Sequence, residues 1–226
     1  MDFDDIPELS ADTLALLQSF LGEKQDLDDR FTKLQGSADA EFETQKITMD
    51  CFQEDWQLSQ FWYSEATSDF IASRALENTQ QGEKIAFISS PSAYVAFRNM
   101  APERAIDAYV FEFDKRFDLF KQQFVFYDFN RPLGFSKVEE MKGMFKFIVA
   151  DPPFLNEDCL SQTMETTQHI AAEDPLIMID TGAVMEELAN KLVGAKITDF
   201  HPEHGGGLSN EFRCYTTFED SKLKWI

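Results

Sequence analysis

The sequence is poor in cysteine and has no long apolar run. Its three cysteines, Cys51, Cys159 and Cys214, form no CxxC pair and no even framework, which argues against a disulfide-stabilised secreted protein. The N-terminus has no basic segment followed by an apolar one, and no stretch approaches the ~18 apolar residues of a membrane span. We therefore expect a soluble cytoplasmic protein with no membrane partner.

Positive charge is also scarce. Twenty lysines and arginines stand against 41 aspartates and glutamates, so the formal net charge is −21. Up to residue 55 there are 15 acids and 4 bases, a net of −11, so about half of the charge lies in the first quarter of the chain. Binding to a phosphate backbone relies on clustered Lys and Arg. The composition therefore argues against direct contact with nucleic acid and accommodates a basic protein partner more easily.

The first 50 residues predict a short helix and a linker. Ser10 can cap a helix at its N-terminus, and four leucines give this helix an apolar side: Leu14, Leu16, Leu17 and Leu21. Segment 23–45, after Gly22, is charged and aperiodic, which is typical of a mobile linker. We assign residues 1–50 to an acidic helix with a flexible linker and residues 51–226 to the main domain.

From Lys84 onward, short apolar runs alternate with helical stretches. Five runs are rich in Val, Ile and Phe without polar alternation: KIAFIS, DAYVFEF, FVFYD, FKFIVA and PLIMID. Such runs suit parallel strands that are buried on both faces. Two further strands, at 197–200 and 212–218, flank a glycine-rich loop and predict an antiparallel hairpin. The fold class is therefore α/β, a doubly wound and mostly parallel sheet of seven strands.

Polar residues follow the predicted strands at the edge where such sheets bind ligands. After the first strand come Ser89 and Ser90, and Ser90 can cap a helix that begins at Pro91, whose free amides could hold a small carboxylate. No GxGxxG motif is present there, so a dinucleotide is disfavoured. Asp114 follows the second strand, 25 residues beyond Ser89, close to the ~20-residue offset of an acid that binds ribose hydroxyls. The alternative for Asp114 is an ion pair with a neighbouring base.

The third and fourth strands also end in candidate ligands. Tyr127 or Phe129 could stack on an adenine ring, and Asp128 could accept a hydrogen bond from an exocyclic amine. The fourth strand ends in Asp151-Pro152-Pro153-Phe154, where two prolines remove two backbone donors. Asp151 and the carbonyl of Pro152 would then be acceptors for an amine, beside the ring of Phe154. The alternative is that these four residues form an ordinary turn. Their position directly after a buried fourth strand favours a catalytic role.

Three further features of the sequence are weaker indications of a functional site. Trp62 and Tyr63 could close a pocket or simply cover the core. His201 and His204 are three residues apart but have no third ligand with suitable spacing, so no metal site is predicted. Cys214, within FRCYTTF, is expected to be a buried thiol rather than a nucleophile.

The sequence resembles the S-adenosylmethionine-dependent methyltransferases that were first grouped with N6-adenine enzymes through an (Asn/Asp)-Pro-Pro-(Tyr/Phe/Trp) motif. More narrowly, it resembles the translation elongation factor 1-alpha lysine methyltransferase family. The matching pieces, in order, are WQLSQFWYS, FEFDKRF, FYDFN, ADPPFL, TGAVMEE and NEFRCY. They cover nearly everything from residue 56 onward, although Phe154 stands where close relatives often have Tyr.

The resemblance implies a Rossmann-like class I methyltransferase fold with a short N-terminal helical extension. It implies S-adenosylmethionine, which carries no phosphate, as the cofactor and a lysine of elongation factor 1-alpha as the substrate. By position, the cofactor would bind to Ser89, Ser90, Asp114, Tyr127, Asp128 and Asp151. Asp151–Phe154 would surround the reacting nitrogen, and Trp62 and Tyr63 would close the pocket of a monomeric enzyme.

Two competing hypotheses remain from the sequence. The same acceptor geometry suits an adenine amine of DNA or RNA, but no basic stripe accompanies the motif. The fold could also serve as a non-catalytic scaffold, in which case replacement of Asp151 by Ala would leave its function intact.

Overall fold

The computed structural model describes residues 10–36, 46–55, 57, 59–207 and 211–226. Its α-helices are α1 (Ala11–Gln35), α2 (Glu65–Glu77), α3 (Pro91–Met100), α4 (Glu157–Ile170) and α5 (Glu186–Val193). Its strands are β1 (Lys84–Ile88), β2 (Ala108–Glu112), β3 (Phe124–Phe126), β4 (Phe145–Ala150), β5 (Ala171–Gly182), β6 (Lys196–Ile197) and β7 (Phe212–Thr216). Short 3₁₀ helices lie at Met49–Cys51, Pro102–Asp107, Lys115–Gln123 and Ala183–Met185. Three residues of the quoted motifs, Trp56, Leu58 and Asn210, lie outside the described residues.

The strands form a seven-stranded sheet in the order β3-β2-β1-β4-β5-β7-β6. Strands β1 to β5 pair in parallel, and β7 runs antiparallel to both β5 and β6. The predicted α/β class and the antiparallel C-terminal strands are therefore confirmed. Along β1, Phe87 belongs to one core cluster and Ile88 to another, because alternate side chains face opposite sides of the sheet. Burial on both faces explains the continuous apolar runs in the sequence.

The strand order reverses between β1 and β4, and this reversal positions the ligand site. From β1 the chain goes to β2 and β3 on one side, and it then returns to β4 and β5 on the other. Connecting segments diverge at such a point and leave a crevice at the carboxyl ends of the strands. The Asp-Pro-Pro-Phe segment follows β4 directly, so it lies beside this crevice.

Helix α1 is longer than the sequence predicted. It runs to Gln35, so the linker prediction is wrong for residues 23–35, while residues 37–45 lie outside the described part. Leu27, Phe31 and Leu34 have helical spacing that the prediction overlooked. Leu34 is buried, and the ring of Phe31 packs against Phe52 with centroids 5.7 Å apart. The division at residue 50 stays a prediction.

Serines occupy the N-cap positions of α1, α2 and α3. The Ser10 hydroxyl accepts a hydrogen bond from the amide of Thr13, and the Ser64 hydroxyl accepts one from the amide of Thr67. Ser90 occupies the N-cap position of α3, but its hydroxyl makes no capping bond and has no partner in the described structure.

None of the helices in the described ranges has both the length and the apolar content to cross a membrane.

Candidate active site

A cavity lies at the carboxyl ends of β1, β2, β3 and β4. Its described lining consists of Gln57, Ser59, Gln60, Phe61, Trp62, Ser89, Pro91, Ser92, Glu112, Phe113, Tyr127, Asp128, Phe129, Asn130, Asp151, Pro152, Pro153, Phe154, His204 and Phe212. Most of the predicted site residues are therefore brought together. Three are not on this lining: Ser90, Tyr63 and Asp114. The sequence analysis missed Glu112 and did not place His204 at this site.

Asp151 lines the cavity at the end of β4, the central strand of the sheet. Its backbone amide donates to the carbonyl of Ile88 at 3.0 Å, which extends the pairing of β4 with β1 by one residue. Burial raises the pKa of the Asp151 carboxyl well above its usual value, and the charges of Asp180 and Glu112 raise it further, whereas Tyr63 lowers it. Pro152 and Pro153 have no N–H to donate. This segment therefore offers hydrogen-bond acceptors to a donor in the cavity.

Glu112 and Asp114, both after β2, differ in their surroundings. Glu112 lines the cavity, and burial raises the pKa of its carboxyl to about 7. Asp114 instead accepts hydrogen bonds from Gln60 Nε2 at 2.9 Å and from Arg116 Nε at 2.8 Å. Burial alone would raise the pKa of Asp114, but the bonds from Arg116 and Gln60 lower it. In the structure Asp114 thus forms the ion pair that was its alternative in the sequence analysis, and Glu112 is the acid after β2 that lines the cavity.

Aromatic rings flank Asp128 on the β3 side of the cavity. The rings of Phe129 and Phe154 approach with centroids 5.6 Å apart, and Phe154 is 40% exposed. Tyr127 is almost fully buried, and its hydroxyl bonds to Thr166 rather than to a group in the cavity. Stacking on a flat ligand is therefore more accessible to Phe129 than to Tyr127. Asp128 keeps one carboxylate oxygen near Arg131 at 3.3 Å.

Of the two aromatic residues just before helix α2, Trp62 lines the cavity and Tyr63 does not. The Trp62 indole donates to the carbonyl of Phe52 at 2.7 Å, and its amide donates to Glu54 at 2.8 Å. Tyr63 is buried, and its hydroxyl makes no hydrogen bond of ordinary geometry within the described structure. Burial first, and the charges of Asp151 and Asp180 next, raise the pKa of the Tyr63 hydroxyl. Tyr63 therefore stays neutral, and its side chain adjoins Asp151 without forming part of the cavity lining.

The two histidines of the HPEH segment have different neighbours. His201 contacts the side chain of Arg213, whereas the ring of His204 packs between Tyr63 and Phe212. Burial lowers the pKa of His204 to about 4, so it is uncharged at neutral pH. Within the described ranges, no group of three or more His, Cys, Asp or Glu could hold a metal ion.

The charge of the cavity is entirely acidic among its described lining residues. Glu112, Asp128 and Asp151 contribute carboxyl groups, and no lysine or arginine lines the cavity. A phosphate-bearing ligand would meet no counter-charge here, whereas a cationic ligand would meet several acids. The chemistry of the site therefore favours a positively charged ligand and an amine.

Comparison with known proteins identifies the family. Residues 54–220 match the family described as "Probable N6-adenine methyltransferase". The chain is 41% identical to the mouse protein named EEF1A lysine methyltransferase 1, over 96% of this chain and 94% of that protein. It is also 41% identical to the Saccharomyces cerevisiae protein-lysine N-methyltransferase EFM5, with the same coverage, and 38% identical to the human EEF1A lysine methyltransferase 1, over 97% and 95%. The chain therefore belongs to this methyltransferase family, which includes the protein-lysine N-methyltransferases.

Proposed function

We propose that this enzyme transfers a methyl group from S-adenosylmethionine to a lysine side chain of elongation factor 1-alpha. The observation that carries the proposal is an acceptor-lined, acidic cavity at the Asp-Pro-Pro-Phe segment, in a chain whose full-length relatives are named for this substrate. The protein is expected to act as a cytoplasmic monomer.

The lining of the cavity fits S-adenosylmethionine, a cation without phosphate. Glu112 would accept hydrogen bonds from the ribose hydroxyls, and Asp128 would accept one from the adenine amine. Phe129 would pack on the ring, and the N-terminus of α3, beside Ser89 and Ser92, would receive the carboxylate. When bound, the cofactor supplies an electrophilic methyl group.

Asp151 would hold the lysine nitrogen at the other end of the cavity. A free lysine has a pKa of about 10.4, so removal of its proton at pH 7 costs roughly 4.6 kcal/mol. The ammonium is the form that carboxylates favour, whereas the aromatic walls formed by Trp62, Phe154 and Phe212 favour the neutral amine. Asp151 and the Pro152 carbonyl would orient this amine, and positioning is the main catalytic contribution that they can make.

Intact-mass analysis tests the proposal. Purified elongation factor 1A is incubated with the enzyme and S-adenosylmethionine, and a mass gain in units of one methyl group is expected, with peptide mapping to locate the lysine. Asp151→Asn should reduce the rate at least 100-fold while cofactor binding remains measurable. Asp158→Asn, in the first turn of α4 and outside the cavity lining, is the matched control and should be as active as the wild type.

The family description favours one second candidate, methylation of an adenine amine in nucleic acid. The absence of lysine and arginine from the described cavity lining weighs against it. A lysate treated with enzyme and radiolabelled methyl donor separates the two candidates, because protease should remove the label from a protein product. Loss of label to nuclease alone would replace the lysine proposal by the adenine one.

A further inference from the structure

A row of polar residues crosses the sheet at the cavity edge, and part of this row is unrelated to the predicted motifs. The register places Glu112, Ser89, Asp151, Asp180 and Cys214 at the same level of five neighbouring strands. The backbone amides of Ser89 and Asp151 continue the ladders of β1 and β4 to this level. We call these five residues the polar row.

Asp151 and Asp180 are adjacent in the polar row and share a face of the sheet. The residue before each of them packs on the opposite face, in the same core cluster. Neighbouring strands are ≈ 4.7–4.9 Å apart, so two carboxyl groups at the same level on one face lie close together. Asp180 therefore stands directly beside the residue that is expected to hold the substrate nitrogen.

Asp180 has no counter-charge in the described structure. Its side chain is 0% exposed, and neither carboxylate oxygen has a hydrogen bond of ordinary geometry there. The adjoining Cys214 thiol lowers the pKa of Asp180 but is itself neutral, so it supplies no positive charge. An ionised carboxylate in this position would be desolvated and uncompensated, which is very unfavourable. Burial accordingly raises the pKa of Asp180 to about 7.

The other titratable groups around the pair bring no positive charge. Tyr63 faces both carboxyl groups from the segment before α2, Glu112 approaches Asp151 from β2, and Cys214 adjoins Asp180 from β7. Burial raises the pKa of the Cys159 thiol, on α4, to about 11, and the charge of Asp151 also raises it. His204 in the cavity wall is neutral. Two adjacent carboxyl groups in such surroundings cannot both ionise.

We propose that Asp151 and Asp180 form a buried carboxyl pair that holds one proton in the free protein and releases it when a sulfonium cation enters the cavity. The O–H bond of the protonated carboxyl breaks, its electron pair stays on the carboxylate oxygen, and the proton passes to solvent. The positive charge of the ligand compensates the second negative charge. Asp180 is thereby a positioning residue that acts through Asp151.

This proposal rests on the proposed function and adds an order to it. Before the methyl donor binds, the pair carries one negative charge that its two carboxyl groups share, so it holds an ammonium group less well than the fully ionised pair would. After the donor binds, both carboxyl groups are ionised, and Asp151 can accept hydrogen bonds from the lysine nitrogen. The methyl donor thus prepares the site for the amine that it will methylate.

Titration calorimetry tests the proposal without catalysis. Binding of S-adenosylmethionine to the full chain is measured at pH 7 in phosphate and in Tris, whose ionisation enthalpies differ, so the difference in heat counts the protons released. We expect about one proton for the wild type. S-adenosylhomocysteine shares the ribose, adenine and amino acid groups but lacks the sulfonium charge, and we expect it to release almost none.

Two variants assign the proton. Asp180→Asn should reduce the release with S-adenosylmethionine, because it removes a neighbouring carboxyl whose charge raises the pKa of Asp151, and Asp180→Ala serves if the Asn variant does not fold. Cys214→Ala, in the same row, removes a neighbour but no negative charge and should release the proton as the wild type does. Equal release with both ligands, or undiminished release without Asp180, would show that the pair does not hold the released proton and would overturn the proposal. Failure of S-adenosylmethionine to bind at all would instead contradict the proposed function.

Discussion

Two acids that lie two positions apart after β2 have opposite surroundings. Asp114 is held by Gln60 and Arg116, whereas Glu112 accepts hydrogen bonds from the amides of Phe113 and Asp114 and faces the cavity. The carboxyl that is already paired stabilises its own loop. The carboxyl that lines the cavity is available to the hydroxyl groups of a ligand.

Exchange of each acid for its amide should separate these roles. Glu112→Gln keeps the oxygen that bonds the backbone but loses the charge, so we expect S-adenosylmethionine to bind about 10- to 100-fold more weakly, as for the loss of a charged hydrogen bond of ~1.5–3 kcal/mol. Asp114→Asn should instead lower the free energy of unfolding by ~1–3 kcal/mol and leave the affinity unchanged. Calorimetry and urea unfolding measure the two effects. The reverse pattern would restore the ribose role to Asp114.

At the scale of elements, α1 has two unequal parts. Its end is anchored, since Leu34 is 5% exposed and belongs to the same core cluster as Phe52. Its beginning shows apolar side chains to solvent, and Leu16 is 72% exposed. Helical content alone therefore does not show which part of α1 stabilises the protein.

Two leucine substitutions in α1 should differ accordingly. Leu34→Ala removes buried atoms and leaves a cavity, so the free energy of unfolding should fall by ~2–5 kcal/mol. Leu16→Ala is the matched control and should change it by no more than about 0.5 kcal/mol. Chemical denaturation monitored by tryptophan fluorescence measures both. An equal loss for the two variants would mean that the exposed part of α1 is packed in solution.

The N-termini of α2 and α3 offer a similar pair. Ser64 caps α2 through the amide of Thr67, whereas Ser90 stands at the start of α3 with a buried hydroxyl that has no described partner. Ser64→Ala should cost ~0.5–2 kcal/mol of stability. Ser90→Ala should slightly raise the free energy of unfolding of the ligand-free protein, because it removes a buried hydroxyl that makes no hydrogen bond. A loss on Ser90→Ala would show that its hydroxyl is bonded in solution.

At the scale of the whole molecule, the sequence predicted the sheet well and the cavity incompletely. The strands could be predicted from their apolar runs, and the position of Asp151 followed from the end of β4. Asp180 is the last residue of its apolar run, but β5 continues to Gly182, and nothing in the local sequence indicates that Asp180 lies beside Asp151. Its role depends on the register with β4 and β7, which is a property of tertiary structure. The choice between Glu112 and Asp114 likewise depends on a distant side chain, Gln60.

The buried acids should also shape the pH dependence of folding stability. The pKa of Asp180 rises from about 3.8 to about 7 on folding because the carboxyl is buried. Between these values the folded protein keeps a proton that the unfolded chain has released, so Asp180 reduces stability as the pH rises through this window. The resulting loss in the free energy of unfolding approaches 1.4 kcal/mol per pH unit. Asn at this position has no proton to lose.

We therefore expect the free energy of unfolding of Asp180→Asn, relative to that of the wild type, to increase from pH 4 to pH 7. Asp220→Asn is the control, because folding lowers the pKa of Asp220 whereas it raises that of Asp180. Burial alone would raise the pKa of Asp220, but hydrogen bonds from Lys222, Asn78 and Arg74 lower it. Its stabilising effect is complete above the unfolded pKa and is lost as the pH falls through the folded one. The difference between Asp220→Asn and the wild type should accordingly stay constant from pH 5 to pH 7. Urea unfolding at four pH values measures both differences, and a constant difference for Asp180→Asn would show that this carboxyl is ionised in the folded protein across the whole range.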